Sequence, residues 1–206
     1  MATDIRAALA PPAGAGTPEL VARFAERAGA LGVTVHRLSD LDELALRVAE
    51  LSRDLAGGDA VVAPGLAATR PALASRLPVQ GVRTVEVDPA DPAASFAGVA
   101  VGISEALLGL AETGSLVVAD ALPDRLVRML SPRHVVVLDA AWIVPGLDEA
   151  GALLRELLLR GDDRGTVGRY VSFITGPSRT ADIEMSLTVG AHGPAELHVA
   201  IVGSRQ

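Results

Sequence analysis

The segment SLVVADALPDRLVRMLSPRHVVVL, residues 115–138, decides the fold of this protein. Its pattern predicts a strand over residues 115–119, an amphipathic helix over 122–130 and a second strand over 135–138. The second strand is an unbroken apolar run rich in β-branched valine, which is typical of a strand that is buried on both faces of a sheet. Strand, helix and strand in this order indicate an α/β protein.

The same alternation extends in both directions from this segment. Thr17, Pro18 and Glu19 predict a helix start, because a hydroxyl caps free backbone N–H groups, proline suits the first turn and an acid favours the helix dipole. Asp40 caps a second helix. We expect helices at 18–31, 41–55, 71–76 and 147–159, and strands at 33–38, 60–63, 84–87, 99–103, 170–174 and 197–202. This order predicts a mainly parallel sheet covered on both faces, in one α/β domain over 17–206 that follows a loose N-terminal arm at 1–16.

The composition excludes several classes of function. Arginine supplies all 18 basic residues against 25 acidic ones, and a net charge of -7 argues against a general nucleic-acid binder. The absence of lysine excludes a lysine Schiff base and a P-loop, and the absence of cysteine excludes thiolate catalysis and an iron–sulfur cluster held by this chain. A GC-rich genome would also explain the missing lysine and asparagine, but the chemical exclusions hold in either case.

We expect neither a membrane span nor a secretory signal. No apolar run approaches the roughly 20 residues that cross a bilayer, and residues 1–20 lack a basic start followed by an apolar core. We therefore expect a cytoplasmic protein without membrane contact.

Three stretches of small and polar residues lie at the starts or ends of predicted strands, and parallel sheets collect ligands beyond the carboxyl ends of their strands. They are Gly-Ile-Ser-Glu at 102–105, Glu-Thr-Gly-Ser at 112–115 and Thr-Gly-Pro-Ser-Arg-Thr-Ala-Asp-Ile-Glu at 175–184. The third stretch presents backbone N–H groups and two hydroxyls at a loop or helix start, which favours a carboxylate or phosphate. Its arginine could bind a carboxylate with two hydrogen bonds. Its two acids would repel a purely anionic ligand, so a ligand that also has hydroxyl or cationic groups fits better. A capped turn without a ligand explains the same residues.

Glu112 and His192 are the candidates for proton transfer. Glu112 would act as a nucleophile or general base if it were held near the sheet edge, and a turn residue that accepts amide hydrogen bonds is the equal alternative. His192 lies in a Gly-Ala-His-Gly-Pro turn and would carry a proton or bind a ligand. We expect His36, His134 and His198 to be ordinary strand residues and expect no metal site. No glycine pattern matches a dinucleotide fingerprint.

In their order along the chain, these motifs resemble the LUD-domain family, of the lactate utilization protein C type. The motifs are Glu-Thr-Gly-Ser at 112–115, Ser-Pro-Arg-His-Val-Val-Val at 131–137, Ile-Val-Pro at 143–145, Gly-Pro-Ser-Arg-Thr-Ala-Asp-Ile-Glu at 176–184 and Gly-Ala-His-Gly-Pro at 190–194. The resemblance covers about residues 20–203, and the stretch 176–184 is its specific part. It implies a three-layer α/β/α fold like that of sugar-phosphate isomerases and coenzyme A transferases. It also implies a role in oxidising L-lactate to pyruvate beside two partner proteins that carry iron–sulfur clusters.

The resemblance also implies the site residues other than Arg179, which is added because its guanidinium suits a carboxylate. The resemblance does not assign their roles. We expect Glu112, Asp182 and His192 to be catalytic, without a metal. We expect a substrate-binding set of Thr113, Gly114, Ser115, Thr175, Gly176, Ser178, Arg179, Thr180, Glu184 and Gly193. A small hydroxy acid needs a cation or N–H cluster for its carboxylate, which Arg179 or the loop amides would supply, and a base near its hydroxyl, which His192 or Glu112 would supply.

Three functions stay open at this point. The first is a cluster-free component of a lactate-oxidising system that binds a small organic acid and iron–sulfur partners. The second is a stand-alone acyl or coenzyme A transferase-like enzyme or ligase with Glu112 as covalent acceptor. The third is a non-catalytic scaffold. We expect no cofactor on this chain and no nucleic-acid partner, and the sequence leaves a homo-oligomer open.

Overall fold

The computed structural model describes residues 10–55, 57–88, 90–119, 122–160, 170–181, 187–189 and 193–203. Their strands are β1 (Thr34–Leu38), β2 (Asp59–Val62), β3 (Thr84–Val85), β4 (Val99–Glu105), β5 (Leu108–Leu110), β6 (Ser115–Ala119), β7 (Arg133–Asp139), β8 (Ile143–Val144), β9 (Val171–Ile174), β10 (Arg179–Ala181), β11 (Leu187–Val189) and β12 (Glu196–Val202). Their helices are α1 (Pro18–Ala30), α2 (Leu41–Ser52), α3 (Pro64–Thr69), α4 (Pro71–Val79), α5 (Pro92–Phe96), α6 (Leu122–Leu130) and α7 (Leu147–Arg160), with a 3-10 turn at Ala140–Trp142.

A six-stranded sheet forms the centre of the protein. Its strand order is β1-β12-β7-β4-β2-β3, and every neighbouring pair is parallel. The residues at 135–138 in β7 are fully buried, as an unbroken apolar strand requires when both faces of its sheet are covered. The prediction of a mainly parallel sheet is confirmed.

Helices cover both faces of this central sheet. Arg133, the first residue of β7, donates a hydrogen bond to the backbone oxygen of Leu51 in α2 at 2.7 Å, and α2 packs against α4. Since successive strand residues point to opposite faces, His134 faces away from α2. Gly102 pairs with His134, and a Cβ on Gly102 would collide with Ser131 at the end of α6. Helices α2 and α6 therefore lie on opposite faces of the sheet.

A second, four-stranded sheet of order β8-β5-β6-β9 packs with α1 on the α6 side of the central sheet. Phe24 of α1, Leu116 of β6 and Val136 of β7 belong to one buried cluster. Val117, which points to the other face of β6, packs in a separate cluster with Leu153 of α7. The predicted three-layer α/β/α fold is confirmed. Strands β6 and β9 and helix α7 were predicted as elements, whereas their arrangement as a second sheet with a helix outside the central sheet was not.

The helix starts follow the predicted capping residues. The Thr17 hydroxyl oxygen accepts a hydrogen bond from the Leu20 N–H at 3.3 Å, and Pro18 is the first residue of α1. The Asp40 carboxylate accepts two backbone N–H groups of the first turn of α2, each at 2.9 Å. Helix α2 ends at Ser52, three residues before its predicted end, and the Ser52 hydroxyl donates to the Val48 backbone oxygen at 2.9 Å.

Two stretches that the sequence placed in loops contain strand residues. Strand β4 continues through Glu105, so the stretch 102–105 lies inside the central sheet, where Ser104 pairs with Val136 and is buried. Arg179 and Thr180 belong to β10, which pairs with β11 in an antiparallel hairpin. The helix-start alternative for this stretch is therefore wrong, and the residues 175–178 before β10 form a loop.

The last residues before α1 pack onto the body of the domain. The Gly16 N–H donates to the Ile143 backbone oxygen at 2.9 Å. Ala15 packs against the apolar cluster beneath α7. Residues 1–9 of the predicted arm lie outside the described residues.

Removing the Phe24 side chain tests how strongly the fold depends on the cluster shared by α1 and the two sheets. We expect Phe24→Ala to lower the free energy of unfolding by about 3–5 kcal/mol, because a fully buried ring leaves a cavity. Urea denaturation followed by circular dichroism measures this change. Leu46→Ala, at a residue of α2 that is 45% exposed, is the control and is expected to change stability by less than about 1 kcal/mol. Equal losses in both variants would contradict the assignment of this core.

Candidate functional site

The turn at 112–114 between β5 and β6 is pressed against the last turn of α1. Gly114 has a positive φ of 69°, and its N–H donates to the Leu110 backbone oxygen at 2.8 Å. A Cβ at this position would lie 2.6 Å from the carbonyl carbon of Arg27 and would collide with the backbone nitrogen of Ala28. Both the backbone angle and the space therefore require glycine here.

Three hydroxyl groups connect this turn to the loop after β9. The Thr113 hydroxyl donates to the Ser115 oxygen at 2.9 Å, and Ser115 is hydrogen-bonded to the Thr175 hydroxyl at 2.8 Å. The pairing of Leu116 with Ile174 in β6 and β9 sets this register. Ser115 is 4% exposed, whereas Thr113 and Thr175 are exposed. The three hydroxyls therefore form a short polar row that opens to solvent at both ends.

A second contact joins the loop after β9 to the segment before β12. The Ser178 N–H donates to the Pro194 backbone oxygen at 3.0 Å. A Cβ on Gly193 would lie 3.2 Å from the Ser178 Cβ. Gly176 has a φ of 110° and packs near the backbone oxygen of Leu31, which follows α1. The structure thus brings together 113–115 with 175, and 178 with 193–194.

These contacts lie at the amino edge of the central sheet. Leu31 precedes β1, and Pro194 precedes β12. The Ala195 N–H donates to the backbone oxygen of Pro132, which precedes β7, at 2.9 Å. Ligands in parallel sheets usually bind at the opposite, carboxyl edge. The fold alone therefore gives no support to these residues as a site, and their predicted roles stay predictions.

Several predicted site residues lie beyond what the structure describes. Asp182, Glu184 and His192 fall outside the described residues, and Arg179 and Thr180 are described only by their backbone positions in β10. Their roles as catalytic or binding residues stay predictions.

Glu112 lines an open cavity of about 480 Å³. Its N–H donates to the Pro145 backbone oxygen at 2.9 Å, and its side chain is exposed. A Cβ on Gly146 would lie 2.6 Å from the Glu112 Oε2 atom, so only glycine leaves room for the carboxylate in this position. The cavity is lined by Arg23, Glu112, Pro145, Gly146, Leu147, Asp148 and Glu149.

Arg23 is a cavity residue that the sequence analysis missed. It lies on α1, 89 positions before Glu112 in the chain, and is exposed. An arginine on the polar face of an amphipathic helix is indistinguishable in sequence from any solvated charge. Arg23 lines the same cavity as Glu112 only because α1 packs against the turn at 112–114.

A buried charge network connects the carboxyl ends of β4 and β7. Arg70, directly after α3, donates through Nε to Glu105 Oε1 at 3.1 Å, and its Nη2 lies 3.8 Å from Asp139 Oδ2. The Thr69 hydroxyl donates to Glu105 Oε2 at 2.9 Å. The side chains of these three charged residues are at most 10% exposed. Removing one partner of such a buried group leaves an uncompensated charge, so the network holds this edge of the sheet together.

The described histidines are strand residues, as predicted. His134 and Ser104 are both buried and are joined by a hydrogen bond of 2.8 Å. Burial, followed by the nearby Arg128 charge, lowers the pKa of His134 to about 3. His36 and His198 stack with ring centroids 5.5 Å apart, and burial, followed by the His198 ring, lowers the pKa of His36 to about 4.

The part of the chain that the structure describes contains neither a metal-binding cluster nor a membrane-spanning helix. No group of three or more histidine, aspartate or glutamate side chains there has an arrangement that would hold a metal ion. No helix there combines the length and apolar character needed to span a bilayer.

Comparison of the sequence with known proteins identifies a family that this chain matches. The model of the LUD domain matches residues 21–202. "Lactate utilization protein C" of Geobacillus kaustophilus is 35% identical over 106 residues, which are 51% of this chain and 43% of that protein. The protein of the same name from Bacillus subtilis has the same identity and coverage. The aligned segment thus spans less than half the length of these curated relatives.

One solved structure has a similar fold. The crystal structure of a DUF162 family protein from Deinococcus radiodurans superposes with a TM-score of 0.64 and 19% sequence identity. The superposition covers 90% of this chain and 97% of that chain. It supports the three-layer fold.

The neutral buried His134 makes the stability of the fold depend on pH. The unfolded chain takes up a proton at this histidine near pH 6.5, whereas the folded chain does so near pH 3. The unfolded state therefore binds more protons below pH 6.5, and the stability present above that pH is lost as the pH falls toward 3. We expect the unfolding free energy of the wild type to fall more steeply between pH 6.5 and 5 than that of His134→Gln, by up to about 1.4 kcal/mol per pH unit.

Urea denaturation of both proteins at pH 7.5, 6.5, 5.75 and 5 measures this difference. The comparison removes the contributions of the other histidines, because both proteins retain them. Parallel pH dependences would show that His134 has about the same pKa in the folded protein as in the unfolded chain.

Proposed function

On the premise that this chain belongs to the LUD domain family, we propose that it is the cluster-free component of a system that oxidises L-lactate to pyruvate. Partner proteins with iron–sulfur clusters accept the electrons. The observation that carries this proposal is the similarity of half the chain to proteins named lactate utilization protein C. The family match over residues 21–202 supports it.

The proposed substrate site combines the Glu112 cavity with the hydroxyl row that begins at the next residue in the chain, Thr113. Glu112 is the base for the lactate hydroxyl, because its exposed carboxylate lines a cavity large enough for a small acid. Thr113, Ser115 and Thr175 supply polar contacts to the substrate. Gly114, Gly176 and Gly193 allow the backbone segments that carry these residues to approach each other. The remaining assignments are those of the sequence analysis: Asp182 and His192 in proton transfer, and Ser178, Arg179, Thr180 and Glu184 in binding.

Oxidation of lactate to pyruvate releases two electrons and two protons. In this proposal Glu112 accepts the hydroxyl proton as the C–O single bond becomes the carbonyl. The C2–H bond breaks, its two electrons pass to the clusters of the partner proteins, and its proton passes to solvent. Because this chain has no cysteine to ligate a cluster, the electrons must leave it for another protein.

The exposure of Glu112 also favours a second candidate, acyl transfer. A carboxylate at the mouth of a cavity would attack the carbonyl carbon of an acyl-coenzyme A thioester, form an acyl anhydride and release the coenzyme A thiolate. Incubation with a radiolabelled acyl-coenzyme A and mass spectrometry of the Glu112 peptide distinguish this candidate. A trapped adduct, together with the absence of lactate oxidation, would replace the first proposal.

Reconstitution with cluster-bearing proteins encoded beside this chain tests the proposed function. We expect these proteins to co-purify with the tagged chain, and lactate-dependent dye reduction to require all components. Glu112→Gln is expected to lower the rate by about 100-fold or more, as loss of a general base does, without preventing assembly. Glu26→Gln, an equally exposed carboxylate on α1, is the matched control.

Two outcomes would contradict the proposal. Lactate oxidation at the full rate without this chain would exclude it from the reaction. Assembly and full activity with Glu112→Gln would leave the chain a scaffold, without a catalytic Glu112.

A further inference from the structure

Arg23 and Glu112 face the same cavity from two elements that are fixed to each other. Phe24 and Ala28 of α1 are fully buried, so the helix that carries Arg23 has a fixed position. One turn after Arg23, the backbone at Arg27 contacts Gly114 of the turn that carries Glu112. Backbone packing therefore fixes where the two residues lie relative to each other on the cavity wall.

The opposite wall leaves room for the Glu112 carboxylate. The Glu112 N–H is bound to the Pro145 oxygen, and the missing side chain of Gly146 leaves the space that Glu112 Oε2 occupies. The Gly146 N–H in turn donates to Glu149 Oε2 at 3.1 Å. Glu149 is thereby engaged at the start of α7, whereas Glu112 stays directed at the cavity.

Neither Arg23 nor Glu112 is neutralised by a partner. In the part of the chain that the structure describes, the Arg23 guanidinium and the Glu112 carboxylate form no ion pair or hydrogen bond, either with each other or with another residue. With respect to the described residues, the cavity thus offers an unpaired guanidinium from Arg23 and an unpaired hydrogen-bond acceptor from Glu112. A guanidinium binds a carboxylate with two parallel hydrogen bonds, and a carboxylate accepts a hydrogen bond from a hydroxyl.

The other charges in the cavity restrict the ligand further. Asp148 and Glu149 line the same wall, so the cavity carries one positive and three negative side chains. Repulsion from these acids grows with each carboxylate on the ligand, so a single carboxylate bound by Arg23 is favoured over two. A ligand with one carboxylate and a neighbouring hydroxyl matches the arrangement.

We propose that Arg23 and Glu112 form a two-point site for 2-hydroxy monocarboxylic acids, in which Arg23 binds the carboxylate and Glu112 accepts the hydrogen bond of the 2-hydroxyl group. The inference deepens the proposed function, on which it rests only for the identity of the ligand as lactate. It assigns the ligand carboxylate to Arg23 of α1 and not to Arg179 or the loop amides, which were the candidates from the sequence. It also makes binding a property of the isolated chain.

Calorimetric titration of the isolated protein with matched ligands tests this site. The ligands are L-lactate, propionate without the hydroxyl, L-lactamide without the negative charge, and L-malate with a second carboxylate. We expect L-lactate to bind most tightly. Arg23→Gln should weaken L-lactate by about tenfold or more, as expected for the loss of a hydrogen bond to a charged group, and leave L-lactamide unchanged. Arg37→Gln, at an exposed arginine of β1, removes the same charge and should have no effect.

A second variant tests the hydroxyl contact without changing any charge. Gly146→Ala introduces a Cβ at the place of the Glu112 carboxylate. We expect this variant to lose the preference for L-lactate over propionate while it retains an Arg23-dependent affinity for both. Circular dichroism of each variant confirms that it is folded.

Failure of this inference differs from failure of the proposed function. Equal L-lactate affinity of Arg23→Gln and the wild type, or no L-lactate binding by the isolated chain, would overturn the two-point site even if the reconstituted system oxidises lactate. Arg23-dependent binding without lactate oxidation in the reconstituted system would instead support the site and overturn the proposed function.

Discussion

The contact between Gly114 and the end of α1 is the constraint on which the arrangement of this protein depends. At that point two backbones touch, because no side chain separates the turn at 112–114 from Arg27 and Ala28. The contact packs the four-stranded sheet against α1. Phe24 of α1 then packs in one buried cluster with residues of this sheet and of the central sheet. The contact at Gly114 also determines which side chains share the cavity, since Arg23 lies one turn before it and Glu112 two residues before it.

The sequence predicted the elements of the central sheet because their signals are local. An unbroken apolar run marked β7, a mostly apolar run containing His198 marked β12, and the capping side chains of Thr17 and Asp40 marked the starts of α1 and α2. The small sheet was not predicted, since strands of two or three residues such as β5 and β8 are too short to show a period. The stretch at 102–105 was treated as a candidate site because its residues are small and polar at the end of a predicted strand, whereas Gly102 lies inside β4, where α6 approaches closely.

The candidate site was predictable only in part. The motif residues drew attention to Glu112 and to the segments whose hydroxyls meet at Ser115. Arg23 has no such signal, because its role depends on how a helix packs against a turn far along the chain. The buried network of Arg70, Glu105 and Asp139 was equally invisible, since the ends of strands that are distant in sequence become neighbours only in the folded sheet. The two edges of the sheet thus differ: a closed charge network stabilises one, and open polar segments lie at the other.

The crystal structure of this protein in complex with L-lactate is the measurement that tests the central claim most directly. The claim is that backbone packing at Gly114 places Arg23 and Glu112 on one cavity, where neither side chain has a partner among the described residues. The predicted result is electron density for lactate between them, with its carboxylate on Arg23 and its hydroxyl on Glu112. Lactate bound at another place, such as the carboxyl edge near Arg70, or an ion pair between Arg23 and Glu112 that closes the cavity, would contradict the claim.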